Sequence, residues 1–150
     1  MHKAGRAKAE KHMRQLELKD SMKIGIKELD DQHQQLTEII NELYYAYMQG
    51  NHRAVLCGLI TRLNDYAHEH FALERQYMER FVFEMPDYEQ HMQEHREFFT
   101  DAIGFLLRYI EEGSEITPEM LDYLQDWWKD HVMVRDKELG RFLRSRGVTA

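Results

Sequence analysis

Residues 30–50 read DDQHQQLTEIINELYYAYMQG, and this stretch decides the fold. Leu36, Ile39, Ile40, Leu43, Tyr44 and Tyr47 recur at intervals of three and four, which gathers them on one face of an α-helix. Asp30 stands where an N-cap is expected, and Gly50-Asn51 ends the run with residues that tolerate the left-handed conformation. Working outward, the same grammar repeats three times. A second helix is expected from about residue 53 to 83, with Leu56, Leu59, Ile60, Leu63, Ala67 and Phe71 on one stripe. Pro86 opens a third as a first-turn proline, Phe98, Phe99, Ala102, Phe105 and Leu106 face inward, and Gly113 closes it. Thr117-Pro118, an N-cap followed by proline, starts a fourth that holds Leu121, Leu124, Trp128 and Leu139 and ends near residue 144. Joints of a few residues make neighbouring helices antiparallel. The expected fold is all-α, an up-down-up-down four-helix bundle with an N-terminal arm.

The composition agrees. A chain of 150 residues is one domain by length, and 8 glycines with 2 prolines disfavour a turn-rich β architecture. Mean hydropathy is -0.70, and no uncharged apolar run approaches the ~18 residues of a membrane helix, so no membrane insertion is expected. The start, MHKAGRAKAEKHMRQLELKD, has no apolar core for a secretory signal, and the single Cys57 excludes an internal disulfide. Both features point to a cytoplasmic protein. Residues 1–23 hold seven basic side chains against three acidic ones, which leaves the body with 13 basic and 24 acidic residues, a net -11. Such a body offers no basic face to nucleic acid. The chain therefore divides into a basic N-terminal arm over 1–22 and a bundle over 23–150. The arm is read as a solvated tail, with an acidic surface or an unidentified protein partner as its functional alternative.

Nine histidines are many for this length, and five sit on or beside the apolar stripes. His33 lies three residues before Leu36, His70 three after Ala67, and His131 three after Trp128, while His91 and His95 lead into Phe98. His2, His12, His52 and His68 fall elsewhere and are expected at the surface. One core imidazole is usually structural. Five imidazoles, with Glu74 one turn after His70, need more partners than an apolar core contains, and a shared metal would satisfy them all. In an antiparallel bundle these residues lie within roughly 5–20 Å of one end at ~1.5 Å per residue. Imidazole and carboxylate without thiolate suit zinc, iron, copper or nickel. Counting Asp136, seven ligands are too many for one ion and natural for two, the imidazoles splitting three and two with one coordination position left open. Asp136 is the weak member, since five residues from His131 is about 140° round a regular helix.

Four motifs, GIKELDDQH ending at His33, HFALE from His70 to Glu74, HMQEH from His91 to His95 and HVMVRD from His131 to Asp136, resemble the haemerythrin family in its single-domain bacterial form. The resemblance runs from about residue 23 to 144 and fills every ligand position of that family's non-haem di-iron centre. It implies that His91, His95 and His131 hold the saturated iron, that His33 and His70 hold the open one, and that Glu74 and Asp136 bridge. The implied function is reversible dioxygen binding by a carrier, store or sensor rather than an enzyme. The implied pocket for dioxygen is formed by Phe71, Trp127, Trp128 and Val132. Two departures stand out. Residues 18–24, LKDSMKI, lack the tryptophan usual upstream of the first motif, and Trp128 occupies a position usually held by leucine beside the pocket, where a bulkier ring reshapes the gas path.

Two rivals share these residues. His91-Met92-Gln93-Glu94-His95 fits the H-x-x-E-H pattern of inverted-motif zinc proteases, with Glu94 as general base, yet leaves His33, His70 and His131 unexplained. A di-iron oxidase, peroxidase or nitric-oxide scavenger would keep both irons. Such enzymes use mostly carboxylates, whereas five imidazoles to two carboxylates favour ferrous iron and binding over turnover.

Overall fold

The four apolar stripes meet as four helices laid side by side. A computed structural model describes residues 15–50, 53–85, 87–113 and 116–148. Helix α1 is Lys27–Met48 and α2 is Arg53–Glu79. Helix α3 covers residues 88–112 and α4 residues 118–145, each a continuous rod with a π-helical stretch inside it, Phe98–Ile103 in α3 and Trp128–Arg135 in α4. A single 3-10 turn, Asp20–Met22, precedes them, and the described residues contain no strand. None of the described helices is long and apolar enough to cross a membrane.

The punctuation works largely as its chemistry dictates. Gly50 and Gly113 take φ of +67° and +70° at the ends of α1 and α3, where any side chain would be strained. The Thr117 hydroxyl accepts from the Met120 amide at 3.3 Å, and Pro118 follows as the first residue of α4. Other boundaries differ from the expectation. Asp30 is not the N-cap of α1, which begins three residues earlier at Lys27. Its buried carboxylate accepts instead from the Ile24 and Gly25 amides at 2.8 and 3.1 Å, fastening the entering chain to the first turn. Helix α2 stops at Glu79 rather than near 83, because the Phe81 amide bonds back to Met78 and the Phe81 carbonyl receives both Glu84 and Met85. Helix α3 starts at Tyr88 after Asp87, whose φ of +61° is one that aspartate tolerates better than most residues. Pro86, Asn51, His52 and residues 1–14 of the arm lie outside the described residues. From Gln15 onward the chain lies on the bundle, with the Asn41 side chain pairing both backbone groups of Leu16 at 2.8 and 2.9 Å.

Apolar burial falls into two clusters separated along the bundle. The larger takes Leu36, Ile40, Leu63, Ala67, Phe71, Phe98, Trp128 and Val132 with their neighbours. The smaller, at one end, packs Ile24, Ile26 and Leu29 against Tyr77, Met78, Leu139 and Leu143. Between these clusters every helix buries acidic or imidazole side chains: His33 on α1, His70 and Glu74 on α2, His91 and His95 on α3, His131 and Asp136 on α4.

Candidate metal centre

The intervening level is built one helix at a time. His33 follows Leu29 by one turn on α1, and the i, i+4 spacing stacks His70 on Glu74 in α2 and His91 on His95 in α3. Helix α4 contributes His131 and Asp136, five residues apart, which an α-helix would splay. The stretch Trp128–Arg135 is π-helical, with an i→i+5 ladder, and residues five apart then stand almost one above the other. This widened turn puts Asp136 on the face of His131. The seven residues are 0–3% exposed.

Their ligand atoms form two groups, each with its atoms within 4.8 Å of one another. One contains Glu74, His91, His95, His131 and Asp136; the other contains His33, His70, Glu74 and Asp136. Both carboxylates belong to both groups, and each divides its oxygens between them. Glu74 Oε1 lies 3.3 Å from His91 Nε2 and 3.0 Å from His95 Nε2, while Oε2 lies 3.4 Å from His70 Nε2. Asp136 Oδ1 lies 3.2 Å from the Nε2 atoms of both His91 and His131. Asp136 Oδ2 is 2.8 Å from His33 Nε2 and 3.5 Å from that of His70. All five imidazoles therefore present Nε2 inward.

The outward nitrogens have partners of their own. His70 Nδ1 is 2.7 Å from Gln32 Oε1, and His131 Nδ1 is 3.0 Å from Glu94 Oε1, whose other oxygen accepts from Arg135 Nε at 2.9 Å. An acceptor on Nδ1 fixes the ring and leaves Nε2 as the basic nitrogen. Burial pushes the Glu94 carboxyl up, but His131 and Arg135 outweigh it and bring it down to about 2. Burial lowers His70 and His91, and the two carboxylates more than reverse this, holding both up to about 9. His131 is likewise held well above its ordinary value, against burial, through Asp136 and Glu74. His95 goes the other way, to about 4, because burial outweighs Glu74 and the neighbouring imidazoles add to it. Burial drives the Glu74 and Asp136 carboxyls up, with Asp136 adding to it at Glu74, but the imidazoles hold both well below the usual carboxylate range. The cluster keeps two buried negative charges and draws positive charge toward them.

Residues 24–143 match the family described as the Hemerythrin HHE cation binding domain. The chain belongs to the haemerythrin family. Among its relatives are the bacteriohemerythrins of Clostridium acetobutylicum, 28% identical over 80% of this chain and 95% of the relative, and of Stenotrophomonas maltophilia, 30% identical over 79% and 74%. That of Pseudomonas aeruginosa is 29% identical over 80% of this chain and 76% of its own.

The buried residues suit the binuclear site that a haemerythrin cation-binding domain implies. His95 Nε2 and His131 Nε2 face each other at 3.2 Å, an arrangement that an electrophile between or beside them relieves. Among the described residues five buried side-chain polar atoms have no hydrogen-bond partner, and His33 Nδ1, Glu74 Oε2, His95 Nδ1 and Asp136 Oδ1 are four of them. Such atoms are costly in a core unless something pairs with them. Around this haemerythrin cluster, the Phe71 ring lies flat on His95 at 3.9 Å, and half-buried Trp127 is stacked on His131 at 4.3 Å. Val132 is fully buried, and buried Trp128 donates its indole N–H to Thr37 Oγ1 at 3.0 Å. Thr37 in turn donates to the His33 carbonyl at 2.7 Å, so the indole is tied to the helix that carries His33. Gln32, Glu94 and Tyr66, which is stacked on His70 at 5.2 Å, are absent from the sequence expectation as members of this neighbourhood. Tyr66 announces itself by standing four residues before His70; Gln32 and Glu94 are merely polar neighbours of a histidine. The roughly 690 Å³ groove between α1 and α2, lined by Tyr44, Tyr45, Val55 and Leu59, touches none of the seven.

Proposed function

We propose that this chain binds dioxygen reversibly at a pair of iron ions held by His33, His70, Glu74, His91, His95, His131 and Asp136. The observation that carries the reading is the division of each carboxylate between the two histidine groups: Glu74 turns Oε1 to His91, His95 and His131 and Oε2 to His70, while Asp136 turns Oδ1 to His91 and His131 and Oδ2 to His33 and His70. Two ions linked by two carboxylates suit that division, the three-histidine side having the fuller donor set and the two-histidine side leaving room for an incoming ligand. A ferrous pair would supply the two electrons that dioxygen takes up on binding and returns on release. The remaining work falls to the chain. Glu74 and Asp136 offset the ions' charge, Gln32 and Glu94 orient the imidazoles, and two apolar clusters above and below keep bulk water away. Phe71, Trp128 and Val132, with Trp127 toward the surface, wall the approach in apolar surface, which slows the entry of the water and anions that promote irreversible oxidation.

Five imidazoles to two carboxylates favour a carrier, store or sensor over a di-iron oxidase, peroxidase or nitric-oxide scavenger, because few anionic ligands leave the ferrous state accessible. A zinc protease would need Glu94 beside the metal-bound water. Here its carboxylate is engaged by His131 Nδ1 and Arg135 Nε. The test is metal analysis with anaerobic reduction and dioxygen titration. About two irons per chain, with visible absorbance that appears with dioxygen and disappears on its removal over repeated cycles, supports the reading. One zinc per chain, or a single irreversible turnover, contradicts it.

A further inference from the structure

Tyr66 is 4% exposed in α2, one turn before His70, and its ring lies nearly parallel to that imidazole, with 13° between the planes. Its hydroxyl is the fifth buried polar atom without a partner, and the one that belongs to none of the seven cluster residues. Phenylalanine would fill the same space without burying an unpaired hydroxyl, so the oxygen calls for a partner that the chain does not provide. His70, on which Tyr66 stacks, belongs to the two-histidine group, the side with room for an exogenous ligand. We propose that Tyr66 donates a hydrogen bond to the small acceptor ligand that enters on the two-histidine side, and thereby sets how tightly and how long that ligand is held. The inference rests on the cation-pair reading above and adds a specificity-determining residue to it: among the small ligands that reach the site, those whose bound end accepts a hydrogen bond are held longer.

The experiment compares wild type with Tyr66→Phe, using azide as the acceptor probe. In the oxidised iron-loaded protein, the variant is expected to keep its iron content but bind azide about tenfold more weakly, the scale for losing a hydrogen bond to a charged acceptor, with most of the change in the dissociation rate. The metal-free variant is expected to melt at the same temperature or higher, since no internal hydrogen bond is removed. Unchanged azide affinity overturns the proposal. So does a markedly lower melting temperature of the metal-free variant, which would make the hydroxyl structural. Loss of iron together with a phenolate-to-iron absorption band would make Tyr66 a ligand and overturn it equally. Wild-type protein that holds two irons yet binds no azide overturns this inference and leaves the metal pair standing, whereas wild-type protein that holds no iron pair overturns the underlying reading.

Discussion

At the scale of single residues, the site turns on side chains with two ends in use. Glu74 and Asp136 each face both histidine groups, which makes them the joint between the groups rather than members of one. The imidazoles behave similarly, with Nε2 inward and, for His70 and His131, Nδ1 held by Gln32 and Glu94. Glu94 carries the larger share, because it also pairs with Arg135 and so ties α3 to α4 beside the cluster. Replacing it with leucine, Glu94→Leu, removes the acceptor that orients His131. Metal affinity at the three-histidine group is expected to fall about 10–100-fold, the usual scale for losing an outer partner of a ligating histidine. Chelator competition measures it. Glu97→Leu, three residues further along α3 and outside the hydrogen-bonded chain, serves as the control and should leave affinity unchanged. Equal affinities for both variants and wild type would show that His131 needs no such support.

At the scale of elements, α4 and the chain entering α1 explain most of what differs from a reading by regular helical period. The stripes on α1, α2 and the first part of α3 follow the 3.6 repeat, so their histidines and Glu74 are legible as core-facing from spacing alone. Asp136 is not, because the π-helical stretch Trp128–Arg135 changes the repeat locally and nothing in WKDHVMVR declares it. Asp30 misleads for a related reason, since its carboxylate caps the backbone of Ile24 and Gly25 rather than the helix it resembles a cap for. That fastening seats Ile24 against α4 at Gly140. A Cβ built on Gly140 would stand 2.7 Å from the Ile24 Cβ and 3.0 Å from its carbonyl oxygen. An exposed helical glycine changed to alanine gains up to about 1 kcal/mol. Here the overpacking, typically about 1–3 kcal/mol, outweighs that gain, so Gly140→Ala should be destabilising by roughly 1–2 kcal/mol in denaturant unfolding. A stabilised variant would mean that the entering segment is not held against α4 as described. The four helices and their order are legible because Gly50, Gly113 and Thr117-Pro118 act through backbone chemistry that needs no tertiary context. Gln32 and Glu94 become legible only once neighbouring helices bring their histidine partners to them, whereas Tyr66 stands one turn before His70 on the same helix and its place is readable from spacing.

At the scale of the whole molecule, the bundle is a polar layer between two apolar clusters, and its stability should report what fills that layer. In the metal-free protein His70 and His91 are held up to about 9 from an ordinary 6.5. A raised value means that protonation stabilises the fold fully below about pH 6.5, and that this stabilisation is lost as pH rises through about 9. His95, lowered to about 4, acts oppositely and only below its ordinary 6.5. Metal-free protein is therefore expected to lose stability between pH 6.5 and 9, while metal-loaded protein, whose cations replace those protons, should change little. Denaturation midpoints at the two pH values test this, and parallel slopes for both forms would count against it. Metal uptake near neutral pH should release protons for the same reason, and ligand in hundredfold excess over its Kd should add about 2.7 kcal/mol of stability. The most direct test is an anomalous difference map from crystals of iron-loaded protein. The account predicts two peaks joined by Glu74 and Asp136, with His91, His95 and His131 on one and His33 and His70 on the other. A single peak, or peaks that leave either carboxylate bound on one side alone, would contradict it.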